Sequence, residues 1–199
     1  METLIFIDWD DTLFPTTWLT KNNININDKK YTKFFTLLDE IIDNFFTLII
    51  TTGKIFIVTN ATLNWIKISS NILPKTLQHL KNIKIISAKQ TYQYTYPNNV
   101  HLWKKLCFKK IANKHMQQNK INNIISIGDA MYEYNALINL YFSSHKKYLK
   151  AIKFIQYSEY EHIIEQITIL CQNIKNIINH KQHLDLTFNK NDKKNENIY

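Results

Sequence analysis

Three carboxylates stand within four positions near the start of this chain: Asp8, Asp10 and Asp11. Side chains of this type can attack an electrophile, move a proton or hold a hard cation. Asp8 and Asp10 are two residues apart, so an extended backbone aims both the same way. Acids that close repel one another, and a divalent cation is the usual remedy. Turn chemistry also favours Asp, so an acidic turn is the plainer alternative for the stretch. A calcium-binding EF-hand loop is excluded. Counted from Asp8, its required Gly falls on Leu13 and its required Glu on Leu19.

Apolar strands are the elements that would position such acids. Leu4-Ile5-Phe6-Ile7 is a short continuous apolar run, suited to a strand buried on both faces of a parallel sheet. It feeds straight into Asp8, where open α/β sheets place their chemistry. Ile55 to Val58 is a second such run and ends in Thr59-Asn60. Ile83 to Ile86 is a third. Ile124 to Ile127 is a fourth and ends in Gly128-Asp129, and Leu149 to Ile155 alternates enough to be an edge strand.

Helical patterns fill the gaps. After a loop to about Asn27, Asp28 is placed to cap a helix carrying Tyr31, Phe34, Phe35, Leu38, Ile41, Ile42 and Phe45. Gly53 is read as its left-handed stop. Helical pieces are predicted at 63–68 and 77–80, a loop at Thr91–Tyr96, and helices at 99–116, 130–140 and 161–180. The 99–116 helix carries Lys104 and Lys105. Strands alternating with helices predict a three-layer α/β/α sandwich around a mainly parallel, five-stranded, Rossmann-like sheet. One domain would span 1–180, with 181–199 a polar, disordered tail.

Composition narrows the class. The 199 residues include 45% apolar types and carry a net charge of +9. The basic charge is lysine throughout, with no arginine to read guanine bidentately, so only phosphate-tracking contact with nucleic acid is open. Cys107 and Cys171 lack the spacing of a zinc or redox motif and read as small buried hydrophobes. No stretch reaches the roughly 18 apolar residues of a membrane span, and Glu2 argues against a signal peptide. The expectation is a soluble, cytoplasmic protein with no membrane contact.

Taken in order, these motifs resemble those of the haloacid-dehalogenase (HAD) superfamily. The first is an apolar strand followed by Asp8-Trp9-Asp10-Asp11-Thr12. The second is the strand ending in Thr59, the third a lysine, and the fourth Gly128-Asp129-Ala130-Met131-Tyr132-Glu133. The resemblance covers about residues 3 to 180. The segment around Trp103-Lys104 is also similar to uncharacterised protist and viral members. Phosphorelay receiver domains use acids, Thr and Lys in a different order.

The resemblance implies a Mg²⁺-dependent phosphatase. Asp8 would be the nucleophile that forms an aspartyl-phosphate, and Asp10 the general acid and base. Mg²⁺ would be held by Asp8, Asp10 through its backbone carbonyl, and Asp129, with Glu133 reaching metal-bound water. Thr59, Asn60 and Lys104 would bind phosphate oxygens, Lys105 being the fallback for the lysine. Thr12 would brace the turn. Asp11 stands where many members have Gly, and Glu133 where the second acid is commonly Asp. Residues 14–53 offer only a loop and one helix, so a cap over the site is minimal or missing. The substrate is then expected to be bulky or macromolecular, with Trp9, Trp18, Tyr92, Tyr94 and Tyr96 as candidate mouth contacts. Two other readings stay open: a catalytically silent binding protein of this fold, and a nucleic-acid end phosphatase.

Overall fold

In the computed structural model the chain is described over residues 2–118, 121–142 and 147–190. The first apolar run forms β1 (Glu2–Ile7), flanked on either side by β2 (Gly53–Thr59) and β4 (Ile121–Gly128). Beyond them lie β3 (Lys84–Ser87) on one side and β5 (Tyr148–Lys153) then β6 (Leu184–Thr187) on the other. The strand order is β3-β2-β1-β4-β5-β6, and each pairing is parallel. The chain builds outward from β1 to β3, then returns to β4 beside β1. The topological switch point therefore lies between β1 and β4.

Alternation along the strands divides the core in two. Ile5, Ile7, Ile55, Ile57, Ile125 and Ile127 face one side. There they meet α2 (Thr32–Ile49), α3 (Leu63–Ser70), α4 (Pro74–Leu80) and α8 (Tyr160–Asn179). Leu4, Phe6, Phe56, Val58 and Ile124 face the other, under α5 (Ala88–Tyr92), α6 (Val100–Gln118) and α7 (Met131–Ile138). The three-layer Rossmann-like architecture expected from the sequence is present, with six strands in place of five.

The sixth strand comes from the segment expected to fray. Leu184 to Thr187 pairs with Lys150 to Lys153, so β5 is an interior strand and not the edge. The rest of that tail, 191–199, lies outside the described residues. Gly53 does not stop a helix in the left-handed region; it opens β2 with no positive φ. A Cβ there would stand 1.9 Å from the Thr3 carbonyl oxygen, so the close approach of β1 to β2 demands glycine. The loop after the first strand contains α1 (Thr16–Lys21), which buries Trp18 and Leu19. Asp28 caps a 3-10 turn, Lys29–Tyr31, that leads into α2. Part of the expected tyrosine-rich loop is α5. Among the described residues no helix is long and apolar enough to cross a membrane.

Candidate active site

Strand register sets the site. Ile7 pairs with Ile57 on β2 and with Ile127 on β4, so Asp8 comes level with Val58 and Gly128, one residue before Thr59 and Asp129. The Asp8 amide still donates to the Ile127 carbonyl at 2.9 Å, carrying the β1–β4 pairing up to the first acid. Asp8 and Asp129 thus flank the switch point at the carboxyl ends of the central strands.

Helix α6 brings the lysine. Phe108 stacks on Phe6 with ring centroids 4.0 Å apart. Two residues onward along β1 is Asp8, a step of about 6.6 Å. Four residues back along α6 is Lys104, on the same helix face and about 6 Å away. The stacked phenyl pair therefore sets the next rung, where Lys104 Nζ lies 2.7 Å from Asp8 Oδ2. Lys104 is 1% exposed, and it also pairs with Glu133. Lys105, its alternative, is half-buried and forms no ion pair with these acids among the described residues.

Glu133 turns back over the start of α7. Its Oε2 accepts from the Ala130 amide at 3.1 Å, the second half of a capping box. A Cβ on Gly128 would lie 2.4 Å from Glu133 Cγ, so glycine at 128 is what leaves room for this fold-back. Asp8, Asp129 and Glu133 each offer an oxygen within 4.8 Å of the others, and all three are buried. That donor set, hard carboxylate oxygens around one point, suits a cation such as Mg²⁺.

The electrostatics follow from this crowding. Burial, then the charges of Asp8 and Glu133, pushes Asp129 up to about 8. Burial also raises Glu133, against the pull of Lys104. Burial disfavours the Lys104 charge, yet Asp8 and Glu133 more than offset it and hold the ammonium above its usual range. Three acids share one lysine, and the crowding is relieved by Asp129 keeping its proton up to about pH 8.

No family model, curated protein or solved structure matches this chain.

The remaining sequence candidates fall around this centre. The Asp10 carboxylate is not in the three-acid group; its Oδ1 accepts from Trp65 Nε1 at 2.8 Å and from the Thr16 hydroxyl. Burial raises its pKa, the Thr16 hydrogen bond opposes that, and the Asp8 charge adds to it. Asp11 adopts φ 53°, in the left-handed region that glycine enters most readily. Its carboxylate accepts from the Thr17 amide at 2.8 Å and from the Thr17 hydroxyl, tying the turn to α1. Thr59 is fully buried and its Oγ1 accepts from the Ala61 amide at 3.0 Å, leaving its own proton to donate. The buried Asn60 Oδ1 and Thr12 Oγ1 have no hydrogen-bond partner among the described residues, so the Thr12 hydroxyl does not tie the turn.

Two expected mouth contacts belong elsewhere. Trp9 is fully buried and donates to Ser69 at 2.9 Å; Trp18 packs edge-on against Phe34 and Tyr160. Both rings are core because β1 and α1 turn them inward. Tyr94 and Tyr96 are exposed, whereas Tyr92 is partly buried. Trp65, Thr16 and Thr17 were not singled out from sequence. Trp65 sits 55 positions from Asp10, and only its place one turn into the helix after Thr59-Asn60 hinted at it.

Proposed function

We propose that this protein is a Mg²⁺-dependent phosphatase of the haloacid-dehalogenase type that works through an aspartyl-phosphate on Asp8. The observation that carries this reading is the seating of Asp8 at the end of the central strand, 2.7 Å from Lys104 and grouped with Asp129 and Glu133.

Asp8, the Asp10 backbone carbonyl and Asp129 would hold Mg²⁺, which screens the anionic nucleophile from the anionic phosphate. An Asp8 oxygen attacks phosphorus, and the bond from phosphorus to the leaving oxygen breaks. Asp10, raised by its burial, gives its proton to that oxygen. Trp65 and Thr16 hold the Asp10 carboxyl in position for this transfer. Asp10 then takes a proton from water as the water oxygen attacks phosphorus, and the Asp8–phosphorus bond breaks to release phosphate. Lys104 and the Thr59 hydroxyl supply donors for the phosphoryl oxygens, where charge spreads in the transition state. The unsatisfied Asn60 side chain stands beside them as a further polar group.

The preferred substrate in this reading is bulky or macromolecular. The stretch after the first acids contributes α1 and α2, whose Trp18, Leu19, Phe35 and Leu38 are committed to the core. An incoming group must then exclude water from the site itself. The test is phosphate release, with and without Mg²⁺, from phosphorylated metabolites, phosphopeptides and end-phosphorylated oligonucleotides. Mg²⁺-dependent release, strongest with a bulky ester, is expected. Tight Mg²⁺ binding with no release from any ester would replace this reading with a silent binding protein.

A further inference from the structure

A second concave region lies away from these acids. A cleft of about 780 Å³ opens between α6 and the sheet over β2 and β3. Its cause is the topology. The Phe6–Phe108 stack seats α6 over the centre of the sheet, and β3 is the outer strand on that side. Among the described residues only the five-residue α5 remains to cover β2 and β3 on this face. Phe56, Ile86, Tyr92 and Ile111 line the floor.

The rim is basic. Lys54, Lys84, Lys110 and Lys114 border the cleft with His115, and none of the lining residues is acidic. Lys110 and Lys114 are four apart on α6 and so share one helix face. Lys54 Nζ lies 3.5 Å from His115 Nδ1, which gathers basic nitrogen atoms at one end. Lys54 and Lys84 stand at or near the starts of β2 and β3, whereas Asp8, Thr59 and Asp129 stand at strand ends. Along α6, Lys114 is ten residues from Lys104, about 15 Å. The two regions therefore sit at opposite ends of the strands.

We propose that this cleft is a second ligand site for a small amphipathic organic anion. The apolar body lies against Phe56, Ile86 and Ile111, and the phosphate or carboxylate meets the lysine rim. The volume suits a small ligand, and an apolar floor with a few convergent charges is the common design of such sites. A one-signed rim raises the local concentration of anions. Occupancy does not depend on Asp8 or on a metal.

Isothermal titration calorimetry on the full chain without metal tests this. The titrants are octyl phosphate and decanoate for an aliphatic body, adenosine monophosphate for an aromatic one, inorganic phosphate for the charge alone, octyltrimethylammonium for the opposite charge, and a single-stranded oligonucleotide. At least one organic anion is expected to bind at one site with Kd of about 100 μM or tighter, and inorganic phosphate at least about tenfold more weakly. Whichever body binds names the source. The double variant Lys110→Glu/Lys114→Glu should weaken binding by about tenfold or more. Lys29→Glu/Lys33→Glu, on the opposite face, and Asp8→Asn should bind as the unaltered chain does. Absence of binding, equal binding of the ammonium titrant, or indifference to the Lys110/Lys114 reversal would overturn the proposal. So would an oligonucleotide that binds far more tightly than every small anion and is lost in the same double variant, which would make the cleft part of a nucleic-acid surface.

Discussion

Lys104 and Lys150 are both buried, yet their surroundings drive them in opposite directions. Lys104 meets carboxylates, Asp8 and Glu133, and its ammonium is held above the ordinary range. Lys150 reaches under β5 to the last turn of α8, where it donates to the carbonyls of Ile177 and, at 2.9 Å, Ile178. Burial without a countercharge pushes it down to about 8. Helix-end carbonyls satisfy a lysine's donors but supply only partial negative charge. Lys150 is thus a clamp between α8 and the sheet. Lys104 is one cation among three acids, an arrangement that folding alone does not favour and that the proposed phosphoryl transfer would use.

The largest expected effect breaks the acidic side of this contrast. Asp8→Asn should lower phosphate release by ~10³-fold or more, because the amide is a poor nucleophile. Circular dichroism should show the fold retained, since asparagine fills the same space. Turnover at the unaltered rate would remove Asp8 from the chemistry.

Next come the two lysines themselves. Lys104→Met should reduce phosphate release by ~10²–10³-fold, the usual cost of losing one transition-state donor. Lys150→Met should leave the rate within about threefold while lowering stability by about 1–3 kcal/mol, as the α8 carbonyls lose their donor. Steady-state rates and denaturant melts of both variants decide it. Equal rate losses would erase the distinction between clamp and site.

Asp129→Asn should raise the melting temperature of the metal-free protein by relieving carboxylate crowding, and should abolish stabilisation by Mg²⁺. The motive is the rise of Asp129 to about 8 among buried acids. Melting curves with and without Mg²⁺ give both readings, and an unchanged Mg²⁺ response would take Asp129 out of the metal site.

The pH dependence of stability separates the same groups. Between 3.8 and about 8 the folded chain holds the Asp129 proton that the unfolded chain releases. Unfolding free energy from this group therefore falls as pH rises through that window. Lys150 acts above it. From about 8 to 10.5 the unfolded chain binds the extra proton, so its contribution rises with pH. Denaturant melts across pH 4 to 10 should show a falling limb that Asp129→Asn flattens and a rising limb that Lys150→Met flattens. Limbs untouched by either variant would reassign both titrations.

The smallest effect is at a positioning residue. Trp65→Phe removes the indole donor to Asp10 but keeps the ring packed on Phe14. A fall in kcat of about three- to tenfold is expected, with the acidic limb of its pH profile moved because Asp10 loses a stabilising hydrogen bond. An unmoved profile would assign Trp65 to packing alone.

Much of the fold, and the placement of the candidate site in it, was legible because short apolar runs stop abruptly at polar residues. Asp8, Thr59 and Asp129 each follow such a run, and a buried parallel strand needs that pattern. Lys104 is preferred over its neighbour Lys105 on sequence grounds but not separated from it, since one helical step decides which side chain reaches Asp8. What escaped depends on distant partners. Asp10 is held by Trp65 from another element. Leu184 to Thr187 is too short and too exposed to announce itself, and exists as a strand only beside β5. The need for glycine at 53 lies in the Thr3 carbonyl, not in the local chain.

The most direct test of the central claim is capture of the covalent intermediate. The protein is incubated with acetyl phosphate and Mg²⁺, quenched in acid, and examined by intact and peptide mass spectrometry. A phosphoryl group on Asp8 is expected, dependent on Mg²⁺ and lost in Asp8→Asn. A phosphoryl group on any other residue, or phosphate release that continues undiminished in Asp8→Asn, would contradict it.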